Sequence, residues 1–481
     1  MTAVETPQSV CRFGIARCDI TPPVGIYHRT WGAAAHDRAT GVHRPLTATA
    51  LVFGPAAGDA EQVLLAVDHC VLWAREQAAL EEAVCREAGV AAADLTLTYS
   101  HTHAAGLMGL ERAGLPGGEL IPPYLEELAR RLAVLVGEAR RSSVPATLAY
   151  ATGRCPMAAH RDFWDAAAGE WVCGFNPSGP ADDTVVVARV TDDRGRSVAT
   201  VVNYACHPTT LGWQNTLLSP DFPGAMREVV EQQTGAPCVF LQGASGDLGP
   251  RDGFVGDVAV ADRNGRQLGY AALAALESLP PPGTRFTYAG SVVSGTKLGR
   301  WEHVPLSPAE QQEKSRWSRR RWAVGLDYRP GIVPAAKARA EQARWEAEEE
   351  AARRAGDEAR ARTCRALAEQ MRRWVVRTAA LPPGDEYPFA VTAWRVGDAF
   401  WVAVEGEPYA AFQRALRGAF PGKPVVVITL AGGCRATYLP ARDSYGTGVY
   451  QETIALLAAG SLERLTAAVR SELAALSGPR D

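Results

Sequence analysis

From about residue 11 to residue 300, short runs rich in β-branched residues alternate with stretches of helical period. That alternation leaves the chain few architectures. "TATALVFG" (47–54), "QVLLAVD" (62–68) and "DLTLTYS" (94–100) have the length and composition of strands. "AALEEAVCREAG" (78–89) and "PYLEELARRLAVLVGEARR" (123–141) are amphipathic, with Leu125, Leu128, Leu132 and Leu135 on one helical face. "TVVVARV" (184–190), "VATVVNYA" (198–205) and "APCVFLQG" (236–243) are further strands, closed by glycine or polar turns. Helices with one apolar stripe and strands with apolar faces bury both by stacking in layers. The expected class is α/β, a layered mixed sheet with flanking helices.

Residues 305–380 depart from this pattern. They are rich in Ala, Arg and Glu and break clearly only at "DYRPGIVP" (327–334). "SPAE", Ser307 to Glu310, is a capping box with proline at the first helical position. This reads as a helical insertion of three helices, with its charge runs on solvated faces. Strand patterns return in "FAVTAWRVGDAFWVAVEGEPY" (389–409), turning at Val396-Gly397-Asp398, and in "KPVVVITLAGG" (423–433). The expectation is one catalytic domain over residues 1–481. Its 481 residues, 47% of them hydrophobic and 21% charged, bury a large core without staples. A net charge of -3 offers no field for nucleic acid or an anionic membrane. No apolar run spans a bilayer, and "MTAVETPQSV" lacks the regions of a signal peptide. The ten cysteines are scattered, without C-x-x-C or zinc-finger spacing, as reduced thiols in a cytoplasmic protein would be. The expected partner is a small-molecule substrate; the oligomeric state is not legible.

Chemistry concentrates where strands end. "TYSHTHAAG" (98–106) carries two of the nine histidines, His101 and His103. On an extended strand end, i, i+2 spacing points both side chains the same way. They could hold a metal, move protons or simply pack. His207, in "VVNYACHPTTLGWQN", also follows an apolar strand and precedes a proline. Three strand-end histidines in one α/β layer suit a catalytic zinc, which takes three protein ligands and keeps a position open. Glu405 and Glu407 in "VAVEGEPY" offer carboxylates at another strand end. "FLQGASGDLGPRDG" (240–253) could be a nest of backbone donors, but Asp247 stands where G-x-S-x-G needs its last glycine. "SGTK" (294–297) matches S-x-x-K without its companion motifs and reads as chance.

Together these blocks resemble the neutral (non-lysosomal) ceramidase family. "GIARCDITPPVG" (14–25), "GVHRPLTATALVF" (41–53), "LLAVDHCVL" (64–72) and "YSHTHAAG" resemble its first motifs, the last its T-H-T-H-S-G. "ACHPTTLGWQNTLLSPDFPG" (205–224), "FLQGASGDLGP", "VEGEPYAAFQRAL" (404–416) and "ATYLPARDSYGTGVYQ" (436–451) follow in family order, covering about residues 14–465. The resemblance implies one zinc held by His101, His207, Glu407 and Tyr438. It implies that His103 faces the substrate or tunes water, that Tyr450 donates to a developing oxyanion, and that Asp68 and Arg161 are polar residues needed for activity. Asp68 would orient a ligand; Arg161 would take a carbonyl or carboxylate. The amides of residues 243–249 would help Tyr450. There are two departures. Gly249, in Gly246-Asp247-Leu248-Gly249-Pro250, stands where the family's G-D-V-S-P has its catalytic serine. The family's C-terminal immunoglobulin-like domain has no counterpart. The expected function is a zinc-dependent hydrolase cleaving an amide, or an ester or lactone, of a soluble small molecule by metal-activated water. The alternatives are amide formation, cyclisation or acyl transfer at the same site, and a non-catalytic zinc-stabilised binding protein.

Overall fold

The computed structural model describes residues 2–478. Eight strands form one mixed sheet. From edge to edge they are Cys238–Gln242, Ser197–Tyr204, Thr184–Asp192, Val144–Arg154, Gln8–Asp19, Thr47–Pro55, Gln62–Val67 and Leu95–Tyr99. The inner neighbours are antiparallel, whereas the outermost pair at each edge is parallel. Parallel neighbours need a crossover. Helix Ala74–Ala88 supplies one and helix Phe222–Thr234 the other. Loops leaving such strands at their C-terminal ends are where α/β proteins build sites.

A second sheet of four strands, Trp317–Asp327, Glu386–Val396, Ala399–Val404 and Val425–Ile428, packs on one face of the first. Trp394 and Trp401 meet Phe53 at ring-centroid distances of 5.8 and 5.6 Å, among Leu51, Leu64, Leu148, Val186 and Ile428. Helices Ala74–Ala88 and Ile121–Arg141 cover the other face at one end, and Phe222–Thr234 and Val258–Glu277 at the other. Helix Ser461–Ser477 packs its Leu462, Leu465 and Val469 against the outer face of the small sheet. The layers thus run helix, sheet, sheet, helix, as the alternation of strand and helix patterns implied.

Residues 429–432 join the two edges of the large sheet. The Thr429 N–H donates to the Gln242 carbonyl (2.9 Å). The Thr98 hydroxyl donates to the Thr429 carbonyl (2.7 Å), and the Gly432 N–H to the Leu97 carbonyl (2.8 Å). Chain leaving Tyr99 and chain leaving Tyr204, far apart in strand order, is delivered to one place.

The stretch 305–380 holds helices Pro308–Lys314, Ala335–Arg354 and Glu358–Ala379, with the capping box formed at Ser307 and Glu310. Between the first two lies a strand that composition concealed. In "WSRRRWAVGLD" (317–327) Val324 and Leu326 turn inward at alternate positions, and Arg319 and Arg320 pair with Asp94 and Glu472. The "SGTK" match lies at the turn of a two-stranded ribbon, residues 284–305, where Gly295 has φ +75°. Among the described residues no helix is long and apolar enough to cross a membrane.

Candidate metal centre

His101 is delivered by backbone geometry other than strand alternation. The strand ends at Tyr99, and His101 itself has φ +68°, a left-handed conformation uncommon for a side-chain-bearing residue. Its N–H is fixed by the His69 carbonyl at 2.9 Å. His103 then opens a short 3₁₀ turn. The two imidazoles do lie together, centroids 4.9 Å apart, but at an interplanar angle of 81°, because the kink folds the segment back. Such strain persists where the surroundings enforce it, often at functional sites. Glu407 and Tyr438 arrive together, as register partners in a two-residue parallel bridge, Glu407–Pro408 beside Tyr438–Leu439. Each follows a left-handed residue, Gly406 (φ +69°) and Thr437 (φ +58°). A Cβ at Gly406 would stand 2.7 Å from the Thr437 carbonyl oxygen, so this approach requires glycine.

The structure brings all four of the expected ligands together. The Nε2 atoms of His101 and His207 lie 3.2 and 2.9 Å from Oε2 of Glu407, and the Tyr438 hydroxyl lies 3.2 Å from His207 Nε2. All four side chains are buried. His101 Nδ1 is 2.7 Å from the Cys70 carbonyl oxygen, and His207 Nδ1 is 2.7 Å from that of Ser245. A carbonyl only accepts, so each Nδ1 carries the proton and each Nε2 presents a lone pair. Two lone pairs, a carboxylate oxygen and a phenol oxygen aimed at one point are a ligand set for a cation.

Electrostatics agree. Burial alone would lower the His101 pKa, yet the Glu407 charge raises it well above the usual imidazole value. Burial alone would raise that of Glu407, but His101 and His207 hold it well below the carboxylate range. His207 is pushed down to about 4 by burial and by the Arg161 charge. A rival cluster, Cys70 with His101 and His103, also brings ligand atoms close. The His101 nitrogen 3.8 Å from the Cys70 sulfur is Nδ1, and that nitrogen is already committed to the Cys70 carbonyl. The set with Glu407 is the better one.

The remaining residues surround this centre. His103 sits between His101 and Trp31, centroids 4.9 and 5.0 Å away, and its buried Nε2 has no hydrogen-bond partner. Burial, then the His101 charge, drives its pKa well below the imidazole value. The Arg161 guanidinium lies 5.1 Å from the centre of the Tyr438 ring and donates to the Gly246 carbonyl at 2.6 Å. Burial pushes the Tyr438 phenol well up in pKa, and the Arg161 charge opposes that. Tyr450, its ring 6.0 Å from that of Tyr438 and 42% exposed, forms the rim.

Asp68 stands one step further back. It accepts both guanidinium nitrogens of Arg227, at 3.1 and 2.6 Å, and the Thr47 N–H at 2.9 Å. The group that orients His101 is the Cys70 carbonyl, two residues on, a main-chain partner with no sequence signal. Glu405 is bonded to Tyr387 and the Ala390 N–H, so only Glu407 of the two carboxylates reaches the centre. The backbone nest needs correcting. The N–H groups of Gly243, Gly246 and Leu248 are bound to carbonyls of Tyr204, Pro408 and Ser245, and that of Ala244 to Gln413. Those four amides are spent on the fold. Cys434, not anticipated, donates its thiol to Oε1 of Glu407 at 3.3 Å.

No family model matches the sequence, and no curated protein matches it. Solved structures do. Neutral ceramidase from Pseudomonas aeruginosa superposes with a TM-score of 0.64 at 15% identity, over 98% of this chain and 75% of that one. A ceramidase complexed with C2 gives the same TM-score, identity and coverage. Over nearly its whole length, therefore, the chain has a neutral-ceramidase-like fold.

Proposed function

We propose that the chain is a zinc-dependent hydrolase that cleaves an amide bond, or a related ester or lactone, in a small molecule. The observation that carries the reading is the pair of bare Nε2 lone pairs, on His101 and His207, facing Glu407 and Tyr438 while both Nδ1 atoms are tied to main-chain carbonyls. His101, His207, Glu407 and Tyr438 would hold the ion. When bound, zinc supplies Lewis acidity toward a carbonyl and acidifies water at neutral pH.

The chain's own residues do the rest. His103, neutral at pH 7 and with a free buried nitrogen, accepts a proton from the attacking water and returns it to the leaving group. Tyr450 donates its hydroxyl to the oxyanion from the rim. Arg161 supplies positive charge beside Tyr438. Water, not a side chain, is the nucleophile in this reading. Gly249 has no hydroxyl. Ser245 lies behind His207, its Oγ 3.3 Å from Nδ1, the nitrogen facing away from Glu407. Ser219 is fully buried, its Oγ bonded to His43 and the Asp221 N–H.

The solvent-exposed rim at Tyr450 favours hydrolysis over bond formation. The unpartnered nitrogen of His103, on an imidazole 4.9 Å from that of His101, favours catalysis over a scaffold. A cytoplasmic setting is part of the proposal and is supported by ten free cysteines. The test is a panel of N-acyl compounds, esters and lactones turned over by purified zinc-loaded protein, with and without chelator. Chelator-sensitive release of an acid supports the reading; turnover that survives complete metal removal refutes it.

A further inference from the structure

The ribbon of residues 284–305 does not behave like the rest of the surface. Its strands, Thr284–Ser294 and Thr296–Pro305, pair with each other, and only the base meets a third strand, through Ala3 and Val4 opposite Thr287 and Phe286. From Ser291 to His303 every residue is exposed, on both faces. Yet the ribbon carries Val292, Val293, Leu298 and Trp301, with Val293 82% exposed. A two-stranded ribbon alone in water is marginal, and an exposed apolar edge strand is a pairing template.

The outer strand, "TKLGRWEHVP", selects its own copy. A two-fold axis through an antiparallel strand pair stands normal to the sheet and leaves each residue on its own face. The pairing must therefore centre on a residue facing itself. Centring on Arg300 or on Glu302 opposes like charges, which is destabilising. Centring on Gly299 sets Leu298 against Arg300. Centring on Trp301 sets Arg300 opposite Glu302 twice, Leu298 opposite Val304 twice, and Trp301 opposite its symmetry mate. Trp301 already stacks on Phe286 at 5.6 Å and meets Tyr288 at 5.6 Å on the same face. The paired ribbons would therefore form a four-stranded sheet with one continuous aromatic face.

We propose that the 284–305 ribbon is a dimerisation arm, which pairs residues 298–304 antiparallel with the same residues of a second copy of this chain about a two-fold axis at Trp301. The register makes the proposal testable by charge exchange. Light scattering after size exclusion should give twice the chain mass for the wild type at micromolar concentration. Arg300→Glu and Glu302→Arg should each give a monomer, and the double exchange Arg300→Glu/Glu302→Arg should restore the dimer. In a second, independent test Trp301→Cys should form a covalent dimer on mild oxidation, absent in oxidised wild type, because facing Cα atoms in such a pair fall within disulfide range. A wild-type monomer, a dimer unmoved by the single exchanges, or a double exchange that stays monomeric would each overturn the proposal.

Discussion

Replacing His103 by alanine separates holding a metal from moving a proton. The imidazole lies 4.9 Å from that of His101 and 6.1 Å from that of His207. It stands outside the group formed by His101, His207 and Glu407. Removing it deletes no ligand atom. It also removes an orphaned buried nitrogen, whose loss offsets the packing lost against Trp31, so stability should change by less than about 1 kcal/mol. A general acid–base is worth about 10²–10⁴ in rate, or roughly 3–5 kcal/mol at ~1.4 kcal/mol per tenfold. His103→Ala should therefore keep its zinc stoichiometry and lose kcat/KM by that factor, whereas His101→Ala should lose both. Zinc is measured by elemental analysis of protein prepared without chelator, and rate with the best substrate of the panel. Zinc loss in His103→Ala equal to that in His101→Ala would refute the reasoning and point to the cluster with Cys70.

Ser245→Ala should stay within about tenfold of wild-type activity, because the main-chain carbonyl of that residue, not its hydroxyl, holds His207 at 2.7 Å; an acyl group trapped on Ser245 would contradict this. Gly249→Ser should fold with stability within about 1 kcal/mol of wild type, since a Cβ there meets only Thr209 Oγ1 at 3.7 Å and Arg161 Cδ at 4.0 Å, and thermal unfolding checks it. Glu369→Gln should destabilise the protein by about 3 kcal/mol at pH 7, because its buried carboxylate joins Arg112 (2.6 Å) and Arg373 (2.9 Å). Burial would raise that carboxyl's pKa, but the two arginines depress it far below the unfolded value of ~4.3. Its stabilisation is full above ~4.3 and is lost as pH falls further, so denaturant curves of wild type and variant should converge in acid.

The layers and the candidate ligands are legible in the sequence for different reasons. Strand length and helical period follow from burial, so "QVLLAVD" and "PYLEELARRLAVLVGEARR" reveal their elements unaided. His101, His207 and Glu407 stand at the ends of apolar runs, whereas Tyr438 follows no such run and is placed, like the convergence of all four, only by the ordered motifs. The closure that unites them, Thr429 to Gln242 and Gly432 to Leu97, is main-chain bonding across the fold. The left-handed turn at His101 has no residue signature, because histidine rarely adopts it. The 317–327 strand was hidden by its arginines, whose partners Asp94 and Glu472 lie far away in sequence. The glycine-rich nest around residue 246 looked open for the converse reason. Two of its amides, those of Gly246 and Ala244, are occupied by groups at Pro408 and Gln413 that no local pattern announces.

The central claim is that one cation sits where the two bare imidazole nitrogens, the carboxylate and the phenol converge. Anomalous diffraction from crystals of zinc-loaded protein, recorded on both sides of the zinc absorption edge, tests it directly. The expected result is a single strong peak, one per chain, within about 2.0–2.2 Å of His101 Nε2, His207 Nε2, Glu407 Oε2 and Tyr438 Oη. No peak there, or one bonded to the Cys70 sulfur and His103 instead, would contradict the account.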